Sequence, residues 1–376
     1  MIYNNNVIYL YVFGEREVFD MSKIIKMGIV GLGRIGRPMA TREINLFPDK
    51  IQVVAVCDLL SERTGPIAKL YEGCREYTDY AEMLKQEDID LVYIATRSCD
   101  HHAHALMAFE AGKDVLLEKP ITISYEEALD LYSRANKAGA PRLYVHQQRR
   151  YEAAFNEVKK AVESGKLGRV YEVNTSQNDF QHRDDWQTLS EFGGGQLLNW
   201  GPHIIDQSLQ LLGTKTFDIQ SYLCQATAGG DCEDHLRIRF IGDNNRVVNM
   251  CISGGMALHT GRYFEVFGDR GAAVYEDGKL KLRYINPAQE IPPVVADPGT
   301  PGATFGASGT FKSNLVIDWV SEEIEVQVAG NELADFWADL YEAMVNGAAF
   351  PITDEDILAI MRTISTVKAQ NKYIMK

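Results

Sequence analysis

The chain has 376 residues, 45% hydrophobic and 24% charged, with 38 basic against 52 acidic side chains and a net charge of −14. That length exceeds one ordinary hydrophobic core and calls for two domains. The acidic balance disfavours nucleic acid or an anionic membrane surface as a partner, and no apolar run approaches the roughly 20 residues of a membrane helix.

The six cysteines, Cys57, Cys74, Cys99, Cys224, Cys232 and Cys251, are scattered without a C-x-x-C pair. This suits a reducing compartment and carries no zinc signature. Residues 1–26 stand apart as an N-terminal extension. Val7 to Phe13 is apolar but lacks the basic segment before it and the small-residue cleavage site after it that mark a secretion signal, and Met21-Ser22-Lys23 reads as a second start. A cytoplasmic location is expected.

From residue 27 strands and helices alternate. Met27 to Val30 is a short apolar strand entering Gly31-Leu32-Gly33-Arg34-Ile35-Gly36, a G-x-G-x-x-G run. Gly31 permits the tight turn, Gly33 the close approach of a pyrophosphate, and Gly36 the packing of helix on strand. Unpaired N–H groups at the start of the next helix favour an anion there. Ile51 to Asp58 follows as a second buried strand, the context that the glycines need. Asp58 accepts hydrogen bonds from a ribose diol and repels a 2′-phosphate, so NAD is the expected cofactor. It lies past the usual spacing of roughly 20 residues, an excess absorbed by the loop Asn45 to Asp49. Arg34 and Arg63 are guanidinium groups able to hold a 2′-phosphate, which keeps NADP open.

Leu91 to Thr96 is a further buried strand, and a helix from His101 to Ala111 stops at Gly112. Asp114-Val115-Leu116-Leu117-Glu118-Lys119-Pro120 is an apolar run ending in a charged pair and a proline. A buried parallel strand ends in charges only where it opens on solvent or a cleft, and in open α/β sheets that edge binds ligands. Pro120 stops the strand and restricts Lys119 to extended geometry, which puts a lysine at the mouth of the cofactor cleft. A helix from Tyr125 to Ala138 and a strand at Leu143 to Val145 complete a doubly wound parallel sheet over residues 27–146. Thr96, His101 and Glu118 fall at its carboxyl edge with Lys119 and are expected beside the nucleotide. His101, His102 and His104 find no convincing third ligand, so no metal is expected.

Residues 147–376 form the second domain. Tyr151 to Glu163 reads as a helix, with Phe155, Val158 and Val162 at helical spacing. Strands at 169–173, 236–240, 246–250, 263–267 and 272–275 alternate apolar and polar, the pattern of antiparallel strands with one covered face. The other face is a candidate surface for a homodimer or homotetramer. Residues 286–309 read as a long loop, and helices from Glu332 to Val345 and Asp354 to Lys372 close the chain.

Between the first of these strands and the rest lies Arg183-Asp184-Asp185-Trp186, then Gly193-Gly194-Gly195-Gln196-Leu197-Leu198-Asn199-Trp200-Gly201-Pro202-His203-Ile204-Ile205-Asp206. A helix from Pro202 buries Ile205, Leu209 and Leu212 and places His203 and Asp206 on one face. His203 is a candidate general base that Asp206 could orient, although a core or capping histidine fits the same pattern. Trp186, flanked by Arg183 and Asp185, reads either as a platform for a polyol or as ordinary packing.

Together these segments resemble the glucose-fructose oxidoreductase / inositol dehydrogenase / rhizopine catabolism family (Gfo/Idh/MocA). The resemblance rests on Gly31-Leu32-Gly33-Arg34-Ile35-Gly36, His101 with Ala111-Gly112-Lys113, Glu118-Lys119-Pro120, Gln148-Arg149-Arg150-Tyr151, and the glycine run reaching Gly201-Pro202-His203-Ile204-Ile205-Asp206. It covers nearly everything after residue 26. It implies an α/β protein: a Rossmann domain, then an α/β domain on a large, mostly antiparallel sheet. The implied activity is NAD(P)-dependent hydride transfer at a secondary hydroxyl of a sugar, inositol or related polyol. On this analogy Lys119 contacts the nicotinamide ribose and the substrate hydroxyl, His203 exchanges the hydroxyl proton, and the Lys119–Pro120 bond is cis. Arg150, Arg183, Asp185, Trp186, Asn199 and His203 are the expected substrate contacts.

One position departs from the family pattern. Many of its dehydrogenases carry Asp four residues before the histidine, where this chain has Asn199. Asparagine hydrogen-bonds a hydroxyl but cannot raise the histidine pKa by charge or take a proton. This leaves two alternatives on the same scaffold: an NAD-retaining glycosidase or lyase acting by transient oxidation and elimination, and a non-catalytic nucleotide-binding protein.

Overall fold

The computed structural model of the protein describes residues 2–4, 7–12, 15–20, 23–258, 262–293, 315–326 and 332–371. The loop expected at 286–309 therefore lies mostly outside the described residues. The N-terminal extension forms a small antiparallel sheet of β1 (Ile2–Asn4), β2 (Val7–Val12) and β3 (Glu15–Asp20).

The first large sheet contains β4 (Ile25–Val30), β5 (Ile51–Cys57), β6 (Arg75–Tyr77), β7 (Leu91–Ile94), β8 (Asp114–Glu118) and β9 (Leu143–His146). All its neighbours are parallel, in the order β6-β5-β4-β7-β8-β9. The winding reverses between β4 and β7, where a crevice opens beyond the carboxyl ends of the strands. Helices cover both faces, so the strands are buried at consecutive positions, all of β7 and Val115–Glu118 of β8 among them. β4 begins at Ile25, two residues before the expected boundary, because the buried Ile25 pairs with Ile51. The three residues of β6 are too few and too polar to announce a strand in the sequence.

The second large sheet comprises β10 (Val170–Asn178), β11 (Phe217–Cys224), β12 (His235–Gly242), β13 (Val247–Ser253), β14 (Arg262–Gly268), β15 (Gly271–Glu276), β16 (Lys279–Ile285) and β17 (Trp319–Glu325). Their order is β11-β12-β13-β10-β14-β15-β16-β17, and only β10 with β13 is parallel. Helices Ala153–Glu163 and Gly201–Leu212 cover one face. Phe155 meets Phe264 with ring centroids 6.5 Å apart, and Thr175 bonds Ser208 at 3.0 Å. Burial alternates along β12 and β16, the period of a strand with one wet side. Across the open face Gln220, Arg239, Asn249, Asn174 and Glu265 stand in register as a polar row. A depression of about 500 Å³ on this face is lined by Tyr222, Arg237, Arg239 and Tyr263 among others.

The closing helices, Glu332–Tyr341 and Asp354–Gln370, turn back toward the first domain. Phe336 and Trp337 pack on His146 at 4.8 and 6.0 Å between centroids, and Arg142 Nη1 donates to the carbonyls of Ala343 and Met344 at 3.1 Å each. No helix among the described residues is long and apolar enough to cross a membrane.

Candidate active site

The glycine loop lies in the crevice between β4 and β7. Gly31 has φ +89°, and a Cβ there would sit 2.5 Å from the Ala95 carbonyl oxygen; a Cβ on Gly36 would collide with the Gly31 carbonyl. These two glycines fix the turn and the approach of the helix to it. A Cβ on Gly33 would meet nothing within 4 Å. Gly33 faces a cavity of about 330 Å³ that Leu32, Arg34, Arg37, Glu62 and Arg63 also line, with Ile35 exposed nearby. A cradle open at Gly33 and rimmed by guanidinium groups fits a dinucleotide pyrophosphate. Asp58 is buried and fastens this loop to β5, accepting from Leu32 N–H at 2.8 Å and Leu60 N–H at 3.0 Å, with Arg63 at 3.5 Å. Its remaining lone pairs are those left for a ribose.

Glu118 and Lys119 are sequence neighbours that face opposite ways. The Lys119–Pro120 bond is cis. Glu118 is turned into the core, not toward the nucleotide as expected. Its Oε1 accepts from Tyr93 at 2.5 Å and from His146 Nδ1 at 2.6 Å, while Oε2 accepts from Lys119 N–H. Burial alone would depress the His146 pKa, but the Glu118 carboxylate, aided by Glu43, outweighs it and holds the ring at about 9. Burial alone would raise Glu118; His146, with Lys119 and Tyr93, more than reverses that, and Glu118 and His146 form a buried ion pair. His101 is also withdrawn from the cleft. Its Nδ1 donates to the Pro120 carbonyl at 2.8 Å, its Nε2 lies 3.3 Å from the Thr96 carbonyl, and burial pushes its pKa down. His102 pairs with Asp130, and His104 Nδ1 lies 3.0 Å from the hydroxyl of the same Thr96 whose carbonyl faces His101.

Lys119 reaches the other domain: Nζ donates to the Asn199 carbonyl at 3.0 Å. Its pKa is pushed down by burial first, then by the like charges of Arg149 and Arg183, against the opposing pull of Glu118. Asn199 ends the short helix Gln196–Asn199, and its Oδ1 accepts from Gln187 Nε2 at 3.4 Å. Gln187 in turn accepts from Arg183, which pairs with Asp185 at 2.8 Å; Asp185 also pairs with Arg34 of the glycine loop at 2.6 Å. A single polar chain thus runs from the nucleotide loop to the lysine. Trp186 is half-buried beside it, opening a 3₁₀ turn with Asp185 as its cap.

His203 lies one helical turn after Asn199, in the first turn of Gly201–Leu212, and is buried. Its ring stands edge-on to Trp200 at 6.2 Å, and the Arg149 guanidinium covers the Trp200 ring at 4.4 Å. Both oxygens of Asp206 are held by Arg150. Arg150 in turn is no open substrate contact; it also bonds Asp356 and the Pro351 carbonyl, tying three chain segments together.

Sequence reasoning missed Glu233, which supports this turn from below. It is buried, its Oε1 accepts from Leu197 N–H at 2.9 Å, and burial pushes its pKa up to about 6. A Cβ on Gly195 would strike its carboxylate, and one on Gly194 would lie 2.7 Å from the Gln187 and Leu189 carbonyls. The glycine run is therefore demanded by close approach, and the signal for Glu233 was the run itself.

The family model described as "oxidoreductase family, NAD-binding Rossmann fold" matches residues 25–146, and that of the "GFO/IDH/MocA C-terminal domain" matches residues 155–274. The chain is 26% identical over 309 residues to the oxidoreductase YhhX of Escherichia coli, covering 77% of this chain and 81% of that protein. It is 24% identical over 364 residues to the scyllo-inositol 2-dehydrogenase (NADP(+)) IolW of Bacillus subtilis, covering 96% of each. An NAD-binding protein from Listeria innocua shares the fold at TM-score 0.76 and 22% identity, over 93% of this chain and 95% of that one.

Proposed function

Because the chain belongs to the Gfo/Idh/MocA family of NAD(P)-dependent oxidoreductases, we propose that it oxidises or reduces a secondary alcohol of a sugar, inositol or related polyol, with Lys119 and His203 handling the hydroxyl. One observation carries the reading: the Lys119 ammonium bonds the backbone of the turn that leads directly to His203. The Gly31–Gly36 loop would hold the nicotinamide cofactor, which would supply the two-electron hydride acceptor or donor. Lys119 donates to the substrate oxygen and stabilises the negative charge that grows on it. His203 takes the hydroxyl proton during oxidation and returns it during reduction. Trp186 offers an aromatic wall, and Arg183, Asp185 and Asn199 offer polar contacts for the remaining groups. The name of the Bacillus subtilis relative supports a polyol substrate class.

Substituting Lys119→Ala is expected to lower kcat by about 10³-fold while the NADH dissociation constant changes little. Undiminished turnover in that variant would remove Lys119 from the chemistry. Asn199 favours a second reading, redox-neutral elimination from a retained cofactor, since it leaves His203 without the usual carboxylate four residues before it. Aglycone release without accumulation of NADH distinguishes the two. The open face of the second sheet is the surface proposed for self-association as a dimer or tetramer; sedimentation velocity giving only the 42.2 kDa monomer at micromolar concentration argues against it.

A further inference from the structure

Resting on the hydride-transfer reading above, we propose that the second domain holds a subsite for one further hydroxyl of a neutral substrate, read by Gln196 and Glu233. Beside Asn199 lies a cavity of about 20 Å³, room for one group the size of a water molecule. Its lining includes Arg183, Gln187, Gln196, Asn199, Glu233 and Asp234. Gly195, at φ +97°, lines it too, and a Cβ there would strike the Glu233 carboxylate. The Gln196 N–H donates to the Glu233 carbonyl at 3.1 Å and the Leu197 N–H to its Oε1 at 2.9 Å, which seats the two residues side by side. The carbonyl of Asn199 accepts from Lys119 Nζ, so the cavity adjoins the lysine of the proposed reaction.

Hydrogen-bonding capacity around the cavity is unevenly spent. Gln187 donates to Asn199 and accepts from Arg183, and Arg183 also pairs with Asp185. Asp234 accepts from Ala226 N–H, Thr227 N–H and the Thr227 hydroxyl. Gln196 differs: it is 6% exposed, and its Oε1 has no partner among the described residues. Glu233 is 7% exposed and accepts at Oε1 from Leu197 N–H, which leaves lone pairs of its carboxylate for a ligand. Burial pushes its pKa up to about 6, so it is still mostly ionised at neutral pH. Two neighbouring buried acceptors thus lack a donor, a costly arrangement unless a ligand supplies one.

The geometry selects the kind of donor. An anion would meet the carboxylates of Glu233 and Asp234 and be repelled. An ammonium group only donates, and it would lie beside Arg183 and the Asn199 amide nitrogen, which are donors themselves. A hydroxyl does both. Its proton goes to Gln196 Oε1 or the Glu233 carboxylate. Its oxygen accepts from Asn199 Nδ2, the half of that amide left over when Oδ1 accepts from Gln187. One hydroxyl also fills the volume.

The test uses glucose, xylose, myo-inositol and scyllo-inositol, each with its monodeoxy analogues. Hydride transfer is read from absorbance, and binding from the fluorescence of the enzyme–NADH complex. Removing one particular hydroxyl, other than the one that reacts, is expected to lower affinity and kcat/KM by at least about ten-fold. Gln196→Met should shrink that penalty to within about two-fold, by weakening the parent compound and not the deoxy analogue. Glu233→Gln, which keeps an acceptor for the Leu197 N–H, should reduce it in part and serves if the first variant fails to fold. A structural role alone would weaken parent and analogue by the same factor. That result, or binding of none of the four parent compounds, overturns the subsite; hydride transfer persisting beside the first leaves the hydride-transfer reading standing. A deoxy penalty in binding that Gln196→Met erases, without hydride transfer to or from any of the compounds, does the reverse.

Discussion

Along β7 and β8 of the parallel sheet successive residues are buried, whereas β12 and β16 of the second sheet are buried at every other one. A strand covered on both sides has no wet flank on which to display a polar side chain. Its polar residues must be paired inside, as Glu118 is, or stand just past its end, as Lys119 does. The second sheet can afford a full row of polar residues on its open face, yet its strands bring no group to the reaction. It contributes a platform, across whose covered side the segment from Arg183 to Asp206 is laid. Position at the end of a strand matters in the first domain, and position in the overlying turn matters in the second.

This contrast can be tested with neighbouring substitutions. In β8, Leu116→Ala and Leu117→Ala should each lower stability by about 2–5 kcal/mol in urea denaturation, because both side chains are fully buried. In β12, Phe240→Ala should cost about 3–5 kcal/mol, while the adjacent Arg239→Ala should stay within about 0.5 kcal/mol. A large loss at Arg239 would mean that the open face is packed in solution.

Next in size is the interior pair. His146→Gln leaves the Glu118 carboxylate buried without its cation and should cost about 3 kcal/mol. The wild-type pH dependence follows from the same pair. His146 has its pKa raised in the folded protein to about 9, above the unfolded value of roughly 6.5, so its contribution is complete below that unfolded value. It is lost as pH climbs through about 9, a decline on the order of 3 kcal/mol between pH 6 and 10 that should vanish in His146→Gln. A stability profile unaltered by the substitution would show that the ring is neutral.

A small effect is also expected at the ion pair between the domains. Arg34 is well exposed, so Arg34→Ala should change stability by no more than about 1 kcal/mol, and less at high salt. A double-mutant cycle with Asp185→Ala measures the coupling; a value well above that range would mark the pair as a structural clasp.

The parallel sheet was legible because its signals are local. Apolar runs mark β4, β5, β7 and β8, and the glycines and Pro120 punctuate their ends. The helix Gly201–Leu212 could also be read from its periodicity. β11, β16 and β17 were not among the strands read from the sequence, although β16 alternates as β12 does. In the site, Lys119, Asn199 and His203 could be found from motif and spacing. The partners of Asp206, Glu118 and His101 could not. Each is a pairing across the fold, and composition names the charged groups without saying which will meet.

The bond from Lys119 to residue 199 ends on a backbone oxygen. An ammonium carries three protons in tetrahedral directions, so anchoring one stops the head group spinning about its last carbon–nitrogen bond and aims the other two. The main chain of one domain thereby sets the angle at which a side chain of the other presents its protons. Because that anchor is a peptide carbonyl, a change of side chain at 199 alters what the ligand meets without releasing the lysine. The scaffold can thus exchange aspartate for asparagine at this place and keep its ammonium pointed the same way.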